Sequence, residues 1–570
     1  MRVGVDTGGT FTDAVADNGR SVKVPSTPDG PSEAVGAAIA ALTAAPDVLA
    51  HGTTVATNAL LERAGATVAL VTSPGFTDVV EIGRQDRPSL YDLWADRPEP
   101  LVRRELRLEA NGTLRLPKDV DAVAVCLLDS DLDPSVERAV ADSLHDAGVD
   151  VTCSADVSPE FREYERTLTT VVNAYLRPTC QDYLRRLGTL ASEVLVMTSA
   201  GGLVPLADAV ELPVSLLLSG PAGGVLAAAA VAVANGSPDA LTFDMGGTST
   251  DVCLVRGAVP QAAPGRIVAG FPIRLPSLDL HTIGAGGGSL ARLDTGGALV
   301  VGPESAGAVP GPACYGRGGR APAVTDADLV LGRIPVSGLP GLGELDIAAA
   351  RAALDRAGVT AEGVVTVVNA NMERALRAVS VERGIDPRGL SLVAFGGAGP
   401  LHACDLADAL GMTRVIVPAG AGVLSALGML GAPRQRELVR SWAGTGDLQP
   451  ALVALAMEAR ALVGPDAVTS TTIDVRYVGQ SHELTVASID HFHAEHERRN
   501  GYARPGTRVE VVAIRARARI DAPLDVTSLP TRDREVAVGP AVIAEPDCTI
   551  WVPAGWCARH GEAGALVLER

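Results

Sequence analysis

Apolar and polar positions along the chain follow two periods, and the switches between them outline a mixed α/β protein. Short runs of β-formers open the chain at Val3, Gly4 and Val5 and recur at Leu241, Thr242 and Phe243. Similar runs occupy 68–72, 121–128, 193–198 and 390–395, and runs with little polar alternation read as strands buried on both faces. Segments of helical character lie between them. Residues 31–45 are Ala-rich and begin at Ser32 and Glu33, residues 168–176 have helical periodicity, 178–190 reads as a connecting helix, and 369–383 is amphipathic. The longest apolar run, 223–234, is too short to span a bilayer and reads as a buried helix.

Two strand ends share one sequence. Residues 6–13 read DTGGTFTD and 244–251 read DMGGTSTD, so both obey D-x-G-G-T-x-T-D, and a long-range repeat constrains the architecture before any local signal does. Each copy reads as a strand that turns tightly at two glycines and returns. Gly8, Gly9, Gly246 and Gly247 can take positive φ and let the backbone approach a ligand. Thr7, Thr10, Thr248 and Ser249 add hydroxyls beside the exposed N–H groups, which makes each turn a cradle for an anion. Asp6 and Asp244 at the entrances would repel a phosphate, so their expected role is to hold a hydrated Mg²⁺ (or Mn²⁺) or to orient a water. A single glycine turn is only a turn. Two with the same side-chain pattern, one opening each half, imply related lobes that pinch one nucleotide, and in this they resemble the duplicated phosphate loops of the actin, Hsp70 and sugar kinase superfamily. No G-x-x-x-x-G-K-[ST] sequence is present, which disfavours a P-loop enzyme.

Other turns carry candidate chemistry. Residues 216–225 read as a strand, a tight turn and a helix with Pro221 in its first turn, a third place where N–H groups meet an anion. In 390–400 the glycines let a flat adenine ring approach the backbone, so Gly396, Gly397 and Gly399 are the expected adenosine contacts. His281 precedes the glycine run 286–288 and Ser289; with Arg84, in a loop near prolines, it is the expected substrate neighbourhood and, with Asp6 and Asp244, the expected catalytic set. The Gly- and Pro-rich loop 310–319 is too long to be neutral, and it contains Cys314, a weak nucleophile candidate with no base at fixed spacing. Charges at 160–166 read as a solvated face. His51 reads as a structural histidine, and the three histidines in 491–499 do not share one helical face.

Composition bounds the rest. A chain of 570 residues exceeds one core, and the expected division is 1–176, 177–440 and a short C-terminal domain at 441–570. A net charge of −19 argues against nucleic acid and anionic membrane partners, so a nucleotide must be held by local donors and metal. The only lysines are Lys23 and Lys118, and the eight cysteines form no C-x-x-C pair. With no basic leader before the first strand, a reduced, cytoplasmic protein is expected.

Taken together the segments resemble the hydantoinase A / 5-oxoprolinase family. The resemblance is carried by VGVDTGGTFTD, HGTTVATNALLER, EFREYERT, LLSGPAGGV, FDMGGTSTDV, HTIGAGGGS, PGPACYGRGG, SVERGIDP, FGGAGPLHA and YVGQSHELTV, across roughly residues 1–490. It implies an actin-like ATPase fold, ATP with Mg²⁺ as cofactors, and ATP-driven opening of a cyclic amide such as a hydantoin or 5-oxoproline after phosphoryl transfer to the amide oxygen. It also implies a B-type partner subunit and a homo- or hetero-oligomer. Related members are carboxylase subunits acting on ketones, so carboxylation is an alternative, as is a non-hydrolytic ATP-gated binding module. The chain departs from the family pattern at Thr198 and Ala200, where Gln and Asn are frequent, at Asp328, where Asn is usual, in a shorter passage at 116–121 and in a shorter C-terminal region.

Overall fold

The structure, a computed structural model, describes residues 1–27, 30–111, 114–146, 148–338, 343–444, 447–531 and 533–570. Each copy of the repeat is a β-hairpin. In the first, Arg2–Thr7 runs antiparallel to Phe11–Ala16 with Asp6 opposite Asp13. In the second, Ala240–Met245 runs antiparallel to Thr250–Arg256 with Asp244 opposite Asp251. Val3 and Val5 are fully buried. Gly4, between them, is required by packing, because a Cβ there would lie 2.1 Å from the carbonyl oxygen of Ala426 on the helix Leu424–Leu430.

The inner strand of each hairpin continues into parallel pairings. Arg2–Thr7 pairs with Val48–Thr53, which pairs with Glu193–Met197. Ala240–Met245 pairs with Ser391–Phe395, which pairs with Arg414–Val417. Both sheets therefore run antiparallel, parallel, parallel from the hairpin inward. Parallel neighbours need crossovers, and helices such as Pro31–Leu42, between Arg2–Thr7 and Val48–Thr53, and Gly399–Leu410, between Ser391–Phe395 and Arg414–Val417, supply them. Among the described residues the first sheet has ten strands and the second eight. A separate sheet of four parallel strands, built from Val68–Thr72, Arg107–Glu109, Ala122–Cys126 and Asp150–Cys153, shares a core with the first.

Strand pairing corrects the linear division. Glu193–Met197 and Leu203–Pro205, expected in the second unit, belong to the first sheet. The region 441–570 is split as well. Val468–Tyr477 and Val509–Ile520 extend the first sheet, while Cys557–His560 and Leu566–Glu569 complete the second. A sheet edge accepts any strand of matching register, and sequence separation does not enter.

Two further expectations change. The segments 168–176 and 178–190 form one 25-residue helix, Glu163–Leu187, with Pro178 inside it. Leu168, Val172, Leu176, Leu184 and Leu187 pack into one core, which outweighs the hydrogen bond the proline removes. The charges before and in its first turn are only partly a solvated face, with Glu163 exposed. Glu160 and Arg166 are fully buried; Arg166 pairs with Asp131, and Glu160 pairs with Arg274 at 2.7 Å and Arg515 at 3.3 Å. Their partners lie up to 355 residues away, beyond any local pattern. No described helix is long and apolar enough to cross a membrane.

Candidate active site

The two glycine turns face each other. A Cβ on Gly247 would sit 3.6 Å from Oγ1 of Thr10, so the second turn lies within van der Waals reach of the first. Around them opens a cavity of about 330 Å³ lined by residues 8–11 and 246–249, by Gly220 and Pro221 at the start of a helix, and by Gly396 and Gly397 after Ser391–Phe395. Each turn closes with the same bond, Gly8 N–H to the Phe11 carbonyl at 2.9 Å and Gly246 N–H to the Ser249 carbonyl at 3.0 Å. Neither bond uses the N–H of Gly9, Thr10, Gly247 or Thr248.

The glycines matter for space and not for backbone sign. Gly8, Gly9, Gly246 and Gly247 are not among the positive-φ glycines, contrary to expectation. A Cβ on Gly9, which lines the cavity, would meet nothing within 4 Å. Gly396 does have φ +78°, and a Cβ there would lie 2.3 Å from Oδ1 of Asp244, so the turn after that strand is committed to glycine. The run 286–288 is a rail under the second turn. Gly287 N–H donates to the Gly246 carbonyl at 3.0 Å and Gly288 N–H to that of Gly247 at 2.7 Å, and a Cβ on Gly286 would lie 2.6 Å from the Gly247 backbone.

Each hairpin brings two carboxylates face to face, since cross-strand partners share a side of the sheet. Burial, then the neighbouring Asp13, pushes Asp6 up to about 7. Burial raises Asp251 to about 6 against the opposing hydrogen bond from the Thr282 hydroxyl. Asp244 is held well above the carboxylate range by burial and then by Asp251 and Asp6. Asp13 is raised by burial and pulled back by Lys23, whose Nζ lies 2.7 Å from it. Oδ1 of Asp6 is buried with no hydrogen-bond partner, wedged where a Cβ on Gly52 or Gly220 would approach to 2.9 or 3.0 Å. Asp547 completes the acidic wall and accepts the Gly422 N–H at 2.9 Å. Among the described lining residues, Lys23 is the one cationic side chain.

The predicted residues separate into two groups. The cleft gathers Asp6, Gly8, Gly9, Thr10, Asp244, Gly246, Gly247, Thr248, Ser249, Gly396 and Gly397. It does not gather Thr7, Gly399, His281 or Arg84. Thr7 is buried, and its carbonyl accepts the Thr54 hydroxyl at 3.0 Å; strand alternation turns it away from the side that carries Asp6. Gly399 starts a helix against Phe243. In the strand His281–Ile283, Thr282 sits opposite Asp251 while His281 sits opposite Val252, so the imidazole takes the other face. Arg84 donates through Nε to Glu165 at 2.9 Å, half-exposed on the four-stranded unit. Cys314 is fully buried, burial pushes its thiol up, and its N–H is held by Asp326 at 2.7 Å, which removes the nucleophile reading. His51 is a structural residue, bonded to the Val5 carbonyl and the Tyr183 hydroxyl and held down at about 4 by burial.

Sequence reasoning missed Asp13, Asp251, Lys23 and Asp547. The first two end the repeated motif, and a hairpin of its length puts its two aspartates opposite one another, so that signal was present. Asp547 comes from the far end of the chain and left no local trace.

The chain as a whole is similar to known proteins. A Hydantoinase/oxoprolinase family model matches residues 166–437, and a Hydantoinase/oxoprolinase N-terminal region model matches 2–148. Caprolactamase subunit alpha of Pseudomonas jessenii is 33% identical over 97% of this chain and 97% of its own. The chain belongs to the hydantoinase/oxoprolinase family. Within that family, the acetophenone carboxylase gamma subunit of Aromatoleum aromaticum is 32% identical over 75% of this chain and 67% of its own. The crystal structure of ATP-dependent caprolactamase from P. jessenii superposes with a TM-score of 0.82 at 30% identity, covering all of both chains.

Proposed function

We propose that this hydantoinase/oxoprolinase family protein is an ATP-dependent amidohydrolase that opens a cyclic amide, working on two duplicated, actin-like lobes that hold one ATP between them. The observation that carries this reading is the apposition of the repeated turns, with the Gly247 Cβ position 3.6 Å from Thr10 Oγ1 in one shared cavity. The similarity to caprolactamase supports a lactam as the substrate class, and relatives named as subunits support a B-type partner.

The donor set fits a hydrated divalent cation. A triphosphate beside Asp6, Asp13, Asp244 and Asp251 meets Lys23 as the one cationic side chain among the described lining residues, which fits positive charge arriving with the nucleotide. Mg²⁺ keeps waters and takes one or two carboxylates plus phosphate oxygens, a set that Asp6, Asp244 and a bound triphosphate would supply in this cavity. Asp6 and Asp244 would hold it, and it would supply charge neutralisation at the transferring phosphoryl group.

The protein groups then divide the work. The two turns present backbone N–H groups and the Thr10 and Thr248 hydroxyls to the phosphates, fixing the γ-phosphorus for attack. The amide oxygen of the substrate attacks that phosphorus and the bond to ADP breaks, leaving an O-phosphorylated imidate. Water adds at its carbon, the ring C–N bond breaks with nitrogen leaving protonated, and the resulting acyl phosphate is hydrolysed. The balance is one ATP, one cyclic amide and two waters to ADP, phosphate and the open amino acid. Asp13 and Asp251, set opposite the entrance carboxylates, hold the local charge that orients water.

Purified protein incubated with ATP, Mg²⁺ and hydantoin, 5-oxoproline or caprolactam tests the reading, with ADP release and ring opening followed with and without bicarbonate. Ring opening coupled to ADP release supports it. ADP release that requires bicarbonate and a ketone, without ring opening, would replace it with a carboxylase, and nucleotide binding without stimulated turnover would replace it with an ATP-gated module.

A further inference from the structure

Lys23 is held at the cavity wall by groups from both sides of the cleft. It stands on the strand Ser21–Pro25 opposite Asp13. Its Nζ donates to Asp13 at 2.9 Å and, across the cleft, to the carbonyl of Gly422 at 3.2 Å. Gly422 lies beyond Arg414–Val417 of the second sheet, so one ammonium group ties the edge of the first sheet to a loop of the second. An ammonium has three donors. Nζ lies 2.7 Å from one Asp13 oxygen and 2.9 Å from the other, so Asp13 and Gly422 share these donors, and the side chain keeps 27% exposure in the cavity wall.

The hairpins are otherwise matched, and at this point they differ. Asp13 has Lys23 across the strand, whereas Asp251 has the neutral hydroxyl of Thr282. Among the described lining residues the one cationic side chain is thus placed on one side of the repeat, beside the first turn.

We infer that Lys23 is the residue that reads polyphosphate charge: its ammonium, held at the cavity wall by Asp13 and Gly422, engages a phosphate oxygen of the bound nucleotide in exchange for one Asp13 oxygen, and its bond to Gly422 holds the two sides of the cleft at the spacing that contact requires. This rests on the reading that the cleft binds ATP. Nucleoside triphosphates and diphosphates are then selected over uncharged nucleosides by Lys23, while the glycine turns contribute to all phosphate-bearing ligands alike.

The composition supplies a test on the unmodified chain, because Lys23 and the exposed Lys118 are its only lysines. Lysine-directed reductive methylation, read by peptide mass spectrometry, is carried out with Mg²⁺ alone, Mg²⁺ and adenosine, and Mg²⁺ and a non-hydrolysable ATP analogue. The result expected is protection of Lys23 by the analogue and not by adenosine, with Lys118 modified equally throughout. In parallel, Lys23→Met and Lys23→Arg are compared by calorimetric binding. Lys23→Met is expected to weaken ATP and ADP by roughly tenfold to a hundredfold, the worth of a charged hydrogen bond, leave adenosine unchanged, and be largely rescued by Lys23→Arg. Equal weakening of adenosine and ATP, or analogue binding with Lys23 still modified at the rate seen without it, overturns the inference and leaves the ATP reading standing. Failure of the unmodified chain to bind the analogue overturns both, and the methylation arm gives its answer even if Lys23→Met does not fold.

Discussion

At the scale of single residues, the cleft is a place where acidic side chains are crowded at a cost. Asp6 has an unfolded value near 3.8 and a folded value pushed to about 7. A raised folded value means the contribution to stability is fully present below the unfolded value and is lost as pH rises through the folded one. Asp6→Asn removes that loss. Its stabilisation of the metal- and nucleotide-free protein is therefore expected to be larger at pH 8 than at pH 5, by about 2–3 kcal/mol, and melting curves in chelator at the two pH values measure it; an effect equal at both contradicts the assignment. The same change, and Asp244→Asn, is expected to lower substrate-stimulated ADP release by on the order of a hundredfold or more. Arg84→Ala should change that rate by no more than about twofold, since a half-exposed ion pair contributes under about 1 kcal/mol. Steady-state kinetics on the three variants sorts cleft residues from the residue that spacing alone had placed beside them.

At the scale of elements, the glycines of the turns and of the strand ends make different predictions. Gly9→Val places its side chain in open space, so the melting temperature is expected to stay within about 2 °C, the range of a surface change, while ATP affinity falls at least tenfold as the side chain fills the phosphate position. Gly396→Ala meets a backbone at φ +78° and an Asp244 oxygen 2.3 Å away; a stability loss of about 1–3 kcal/mol is expected, read as a lower melting temperature before any ligand is added. Elements of this kind were legible in the sequence. The D-x-G-G-T-x-T-D repeat gave both hairpins, and Pro221 marked the helix that follows its turn, because turn chemistry and helix starts are decided by neighbours along the chain. His281, Thr7 and Gly399 went elsewhere because strand alternation and the exact start of a helix decide which way a side chain points. A shift of one residue in register reverses that direction.

At the scale of the whole molecule, what escaped the sequence was long-range pairing. The C-terminal region donates strands to both large sheets, and the buried charges Glu160, Arg274, Asp474 and Arg515 join segments from across the chain. Arg515 lies 2.9 Å from Asp474 and 3.3 Å from Glu160, and Arg515→Met leaves both carboxylates buried without it; a loss of about 3–5 kcal/mol is expected in denaturant unfolding monitored across the first sheet. These features frame the central claim that two copies of one hairpin grip a single nucleotide. Its most direct test is a crystal structure of the full chain with Mg²⁺ and a non-hydrolysable ATP analogue. The account predicts one nucleotide whose phosphates accept hydrogen bonds from residues 8–10 and from 246–249 at once; a nucleotide touching one turn only, or lying outside the cavity they share, would contradict it.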